Sequence, residues 1–165
     1  MTVKELMTGY TPNPSFEGVL TTDDLVFAID LTKEGTDPKT YTVLQVGISG
    51  IDAQLTADTV DSNYIRAGKS STKTGTQRNI KVTGDRFIGD DAQDALFGID
   101  NVYATGQDAV FPGVLFNLKT GKGEKADYTC VVNSDGGGTA GANATIDVDF
   151  KKVGDKPEKY TYTAE

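Results

Sequence analysis

Residues 144–153 read Ala-Thr-Ile-Asp-Val-Asp-Phe-Lys-Lys-Val. Ile146, Val148 and Phe150 alternate with Asp147, Asp149 and Lys151, so on an extended chain the apolar side chains share one face and the charged ones the other. A helix would scatter the same residues around its circumference. The stretch is therefore a strand with one face on a core and one in water. Composition agrees. The 165-residue, 17.5 kDa chain holds 22 Thr, 14 Val and 8 Ile against 9 Leu and 6 Glu. Side chains branched at Cβ are stiff at χ1 and suit a pleated surface. Leu, Ile, Val and Phe make up 38 residues, or 23% of the chain, enough for one thin core in a single domain.

Working outward, the same signals predict strands over 24–31, 41–46, 51–55, 79–87, 113–118 and 126–133, and an edge strand over 159–163. Residues 32–39, with Gly35 and Pro38, read as a turn, and residues 1–22, with Pro12, Pro14 and Gly18, as an irregular arm. Residues 90–98 are the one helix. Asp90 can cap it, Asp91 and Asp94 suit its positive end, and Gly98 fits the stop. Ala92, Ala95, Leu96 and Ile99 recur at helical spacing and would lie on a sheet. Residues 56–77 carry no apolar period and read as a long Ser/Thr/Gly/Lys loop, a length usually kept for function or disorder. The predicted fold is mainly β: two packed antiparallel sheets, a sandwich or partial barrel, with one flanking α-helix, in a single domain spanning 1–165.

Charge narrows the partners. At pH 7 the net charge is −8, so the average surface repels phosphate and a simple DNA-binding role is disfavoured. Residues 63–86 depart from this: Arg66, Lys69, Lys73, Arg78, Lys81 and Arg86 stand against Asp85 alone, a net +5 in a remainder of −13. Such a run is either a solvated loop or a docking arm for an acidic surface, and an identical neighbour would supply that surface. The start of the chain has no apolar run fit for a signal peptide, and no stretch approaches a membrane span, so a soluble chain made in the cytoplasm, with no membrane partner, is expected.

With no His and one Cys, the chain excludes a Ser-His-Asp triad, a Cys-His nucleophile, His-ligated zinc and an internal disulfide. Cys130 lies in an apolar strand and reads as a packing residue. Asp90, Asp91 and Asp94 match an aspartate-rich magnesium–diphosphate pattern, but helix capping explains them without a second metal cluster. Gly136, Gly138 and Gly141 match a dinucleotide motif that should open a helix; a strand follows instead, so they form a hairpin turn. Gly68-Lys69-Ser70 lacks the earlier glycine of a phosphate loop, and the sequon at Asn143 has no force without secretion. No catalytic residue, cofactor or metal site is expected, and no enzymatic activity.

The order of the pieces is more telling than any motif. An early strand pair leads to Ile48-Ser-Gly-Ile-Asp-Ala-Gln-Leu55, then a polar stretch with Asp58, Asp61, Tyr64 and Ile65, then a Gly/Lys/Ser/Thr loop over 67–77. A strand, the short helix and a late hairpin, Asp135-Gly-Gly-Gly-Thr-Ala-Gly141, precede the last alternating strand. Over residues 20–155 this arrangement resembles the tail tube protein (major tail protein) of long, non-contractile-tailed bacteriophages. The resemblance implies six copies per ring and rings stacked into a tube through which the genome passes, with no catalytic residues to carry over. It makes 56–77 an arm reaching a neighbouring subunit or ring. It implies a virion tail location after assembly in the host cytoplasm. The implied partners are further copies of the chain and tail terminator, tape-measure and tail-tip proteins, with DNA passing without specific binding.

On this reading Arg66, Lys69, Lys73, Arg78, Lys81 and Arg86 dock on acidic segments of an adjacent subunit. Asp147 and Asp149 either line an acidic lumen or are simply solvated. Two other readings stay open: a β-sandwich binding or adhesion module, for carbohydrate as an example, and the inner tube of a contractile injection machine. Sugar-binding modules present exposed aromatics for stacking, whereas this chain has no Trp and its seven Tyr are scattered.

Overall fold

The computed structural model describes residues 1–164. Seven strands lie in one antiparallel sheet: β1 (Leu25–Ile29), β2 (Thr42–Val43), β3 (Ile48–Tyr64), β4 (Gly68–Asp85), β5 (Val110–Asn117), β6 (Lys122–Ser134) and β7 (Thr145–Thr161), in the order β2-β1-β5-β6-β7-β4-β3. The mainly-β expectation holds, but the two predicted sheets are two limbs of this one continuous sheet. The sheet curls until its halves face each other. Phe27 of β1 and Phe150 of β7 lie three strands apart in the order, yet their rings meet edge-on with centroids 5.0 Å apart, and Tyr128 of β6 closes on Phe27 at 5.5 Å. Flat strands three places apart would be about 14 Å away from each other.

Alternation decides which residues fill the inside. Phe27, Ile29, Ile80, Val82, Tyr128, Cys130, Val148 and Phe150 are buried together between the limbs, with Leu44 beside them. The intervening residues of β1 and β5 face the other way. There Val26, Ala28, Val114 and Phe116 form a second cluster with Tyr41 and Val43. That second cluster is covered by α1 (Val3–Leu6), whose Val3 and Met7 are buried in it. The predicted irregular arm at 1–22 is thus partly structured. Thr2 caps α1, with its hydroxyl accepting from Glu5 N while the Glu5 carboxylate accepts from Thr2 N at 2.7 Å. Four residues are too few to show a period, so the sequence pattern hides it.

The predicted helix at 90–98 is α2 (Asp91–Leu96), followed by the single turn α3 (Ile99–Val102). Asp90 caps α2, its carboxylate accepting from Gln93 N at 3.0 Å. Ala92 and Leu96 enter the main core as the spacing requires. Ile99 does not; the chain restarts at Gly98 and turns it out to solvent.

The largest departure is at 56–77. The expected loop is an antiparallel ribbon, the outer halves of β3 and β4, paired from Thr56↔Gln77 to Tyr64↔Gly68 with one bulge near Asp58. The bulged Thr74 hydroxyl bonds the Asp58 carbonyl at 3.2 Å. At the tip, Arg66 (φ 66°) and Gly68 (φ 73°) take left-handed conformations to reverse the chain. The predicted edge strand at 159–163 is the far end of β7, paired with β6 through Gly123↔Tyr160.

Candidate functional site

β4 pairs with β7 only over Asn79–Asp85, and beyond Lys151 β7 pairs with β6 alone. Gln77 Nε2 bonds the Lys152 carbonyl at 3.2 Å where β3 and β4 leave the body. From Thr56 to Tyr64 the ribbon projects by about 27 Å at the usual strand rise. Nearly every side chain on it is exposed on both faces. A two-stranded ribbon with neither face packed is marginal by itself. Its exposed apolar residues, Leu55, Val60, Tyr64 and Ile65, have no cover among the described residues. The outer edge of β3 is also unpaired along its whole length, since β3 ends the sheet order. A 17-residue free edge is a template for another chain.

The six basic residues of 63–86 do not act as one group. Arg78 sits on the core-facing side of β4 and forks onto Glu124 of β6, Nε to Oε1 at 2.6 Å, both largely buried. It also bonds the Ala53 carbonyl at 3.2 Å, closing one end of the core. Lys81 reaches Asp147 at 3.1 Å across β4 and β7. Hydrogen bonding to that carboxylate holds its ammonium above its usual range, with Asp149 and Asp52 adding to it. Arg86 bonds Asp94 at 2.9 Å and lies over the Phe97 ring, tying β4 to α2. The Arg86 hydrogen bond, followed by one from Gly89 N, holds the Asp94 carboxyl below the ordinary value. Lys69 pairs with Asp61 at 2.9 Å on the ribbon surface. Arg66 and Lys73 make no ion pair among the described residues.

The run of +5 therefore presents far less than +5 to a partner. On the ribbon, Arg66, Lys69 and Lys73 stand against Asp58 and Asp61.

Asp147 and Asp149, the two lumen candidates, share the outer face of the β6-β7-β4-β3 limb with Lys81, Asp52, Lys151 and Asn133. Asn133 Nδ2 donates to Asp149 at 2.8 Å and to Asp147 at 3.3 Å. The structure thus brings together residues from both predicted groups: Lys81 of the docking set and Asp147 of the lumenal set are partners in one chain. The resulting face is polar and weakly acidic, with three carboxylates against two lysines.

One buried residue escapes sequence reasoning. Gln93, only 1% exposed, donates from Nε2 to the carbonyls of Val46 (2.7 Å) and Asp85 (3.1 Å), while its Oε1 accepts from Phe87 N at 2.8 Å. It pins α2 to the root of the β3–β4 pair. Between capping aspartates it reads as an ordinary solvated helix position, and no sequence signal marks it.

Among the described residues, no three His, Cys, Asp or Glu cluster as a metal site, and no helix is long and apolar enough to cross a membrane. Burial pushes the Cys130 thiol up to about 11, so it is no nucleophile at neutral pH.

No family model and no curated protein matches the chain. Solved structures do. A chain in the virion of a native gene transfer agent particle aligns with a TM-score of 0.60 and 14% identity, covering 88% of this chain and all of that one. A chain from the tail of an empty gene transfer agent particle with C6 symmetry aligns with a TM-score of 0.58 and 16% identity, again over 88% and 100%. At these identities the shared property is the fold, and it extends over the full length of both relatives.

Proposed function

We propose that this chain is the structural subunit of a tail tube, with six copies closing a ring and rings stacking into a hollow conduit for a genome. The observation that carries the reading is the ribbon over 56–77, which projects from the body with both faces in water and its apolar tip uncovered. In a monomer it would cost conformational entropy and bury nothing. Between copies it gains a surface. The free edge of β3 points the same way, because pairing of edges between subunits removes the aggregation hazard that a monomer would carry. The fold it shares with a chain from a C6-symmetric tail supports six-fold closure. Head-to-tail contacts between identical copies close into rings or run on as filaments, and a tube uses both.

The polar outer face of β6-β7-β4-β3 is the wall we assign to the conduit. Its carboxylates offer duplex DNA no counterion-releasing contacts, so a passing genome would not stick. The role is structural, and the partners are other copies of the chain and the proteins that start and stop the tube. The reading is tested by negative-stain electron microscopy of concentrated protein, with light scattering on the same sample. Rings or hollow tubes are expected. Compact monomers at every concentration, with no addition to isolated tail tips, would overturn it.

A further inference from the structure

The curl of the sheet leaves a cleft between its two ends, where β1 and β2 approach the start of β3. Its volume is about 210 Å³, with walls formed by Leu25, Val43, Leu44, Ile48 and Ile51 and Asp23 at the rim. That exceeds the cavity of about 150 Å³ known to take up a benzene-sized group. At the far end of β3 the ribbon tip presents Ile65, 91% exposed, next to Arg66. We propose that Ile65 of one copy seats in this cleft of a second copy, with Arg66 against Asp23; the inference rests on the tube reading and supplies its docking partner.

Three observations carry it. β3 forms a wall of the cleft with its first residues and bears the tip at its last, and the strand between is paired with β4 almost residue by residue. Tip and cleft of one chain are thus about 45 Å apart on a paired strand, so the contact can form only between copies. Such a contact is head-to-tail and leaves a free tip and a free cleft at the ends of any chain of copies, as growth requires. Finally, the charges match. Arg66 and Asp23 make no ion pair among the described residues; Asp52 and Lys81 lie beside Asp23, and that lysine is already paired with Asp147. Lys69, the next cation along the ribbon, is already held by Asp61.

The buried native Cys130 leaves a clean background for cross-linking. Ala67→Cys, on the exposed tip beside an intact Ile65 and Arg66, and Ser49→Cys, on the cleft rim, are purified separately, mixed at high concentration and mildly oxidised. The disulfide-linked heterodimer should exceed that of Ala67→Cys with Tyr103→Cys, an exposed site at the end of α3, by about tenfold, the equilibrium worth of burying one side chain such as Ile65. Equal yields overturn the proposal. Arg66→Asp and Asp23→Arg should each weaken self-association, and the double variant should restore it; a double variant as weak as either single one also overturns it. Hollow tubes without the 67–49 cross-link refute this docking and leave the tube reading standing. The cross-link without hollow tubes does the reverse.

Discussion

Replacing Gln93 with alanine removes one amide and strands three backbone groups, the carbonyls of Val46 and Asp85 and the N–H of Phe87. The bond from Phe87 N fixes the amide's orientation, because only its oxygen can accept, so its nitrogen must face the two carbonyls. A buried polar group left without a partner costs about 1–3 kcal/mol. Three groups would set a ceiling near 9 kcal/mol, but the space vacated by the side chain can admit water to some of them. We therefore expect a loss of about 3 kcal/mol. With a urea slope near 2 kcal/mol/M for a domain of this size, the midpoint should fall by about 1.5 M with the slope unchanged.

A second substitution separates the hydrogen bonds from the packing. Gln93→Glu keeps the shape but turns a carboxylate oxygen toward two carbonyls. Burial and that repulsion outweigh the opposing pull of the Arg86 guanidinium, which lies 3.4 Å from Oε1 and is already engaged by Asp94, so the folded pKa rises above the unfolded value and the folded state holds the proton more tightly. Stability relative to the parent then falls as pH rises from 5 to 8. A Gln93→Ala midpoint within 0.3 M of the parent, or a Gln93→Glu variant indifferent to pH, would refute the clamp.

Three further outcomes follow from the same geometry. Lys69→Glu with Lys73→Glu should block tube growth, seen by electron microscopy and sedimentation, while circular dichroism and melting of the free chain stay unchanged, since both residues lie on the exposed ribbon. Normal polymerisation would dismiss an electrostatic role for the ribbon. Asp30 is buried, which by itself would raise its carboxyl, but bonds from Thr32, Gly35 and Thr36 outweigh this and hold it below 3.8. Its stabilising effect is therefore full above that value and fades as pH falls through the lower folded pKa. Asp30→Asn should cost about 1–3 kcal/mol at pH 7 and progressively less as pH falls below 3.8, by urea titration at each pH. Particles carrying Asp147→Lys and Asp149→Lys should assemble yet release DNA more slowly; release at the parental rate would move these aspartates off the conduit wall.

What the sequence made legible follows one rule. Periodicity reports burial, so it finds strands that bury one face and misses those that bury none. Ile146, Val148 and Phe150 sit in the core as their alternation requires. The ribbon obeys the same backbone geometry, but both its faces are wet, so Leu55-Thr-Ala-Asp-Thr-Val-Asp-Ser-Asn-Tyr64 shows no apolar side and reads as loop. Main-chain pairing and the Thr-rich composition hold it extended, and neither leaves a period.

Charge runs are ambiguous for a related reason. Arg78, Lys81 and Arg86 sit among the other bases in sequence, yet the fold hands them to Glu124, Asp147 and Asp94. A run's formal charge is an upper bound, reduced by each long-range partner that only topology reveals. What remains for another molecule is the residue set the fold leaves unspent: Arg66 and Lys73, the tip around Ile65, and the edge of β3. On the tube reading proposed above, those leftovers are the site. They are defined by missing partners rather than by residue type, and for that reason no motif in the chain could mark them.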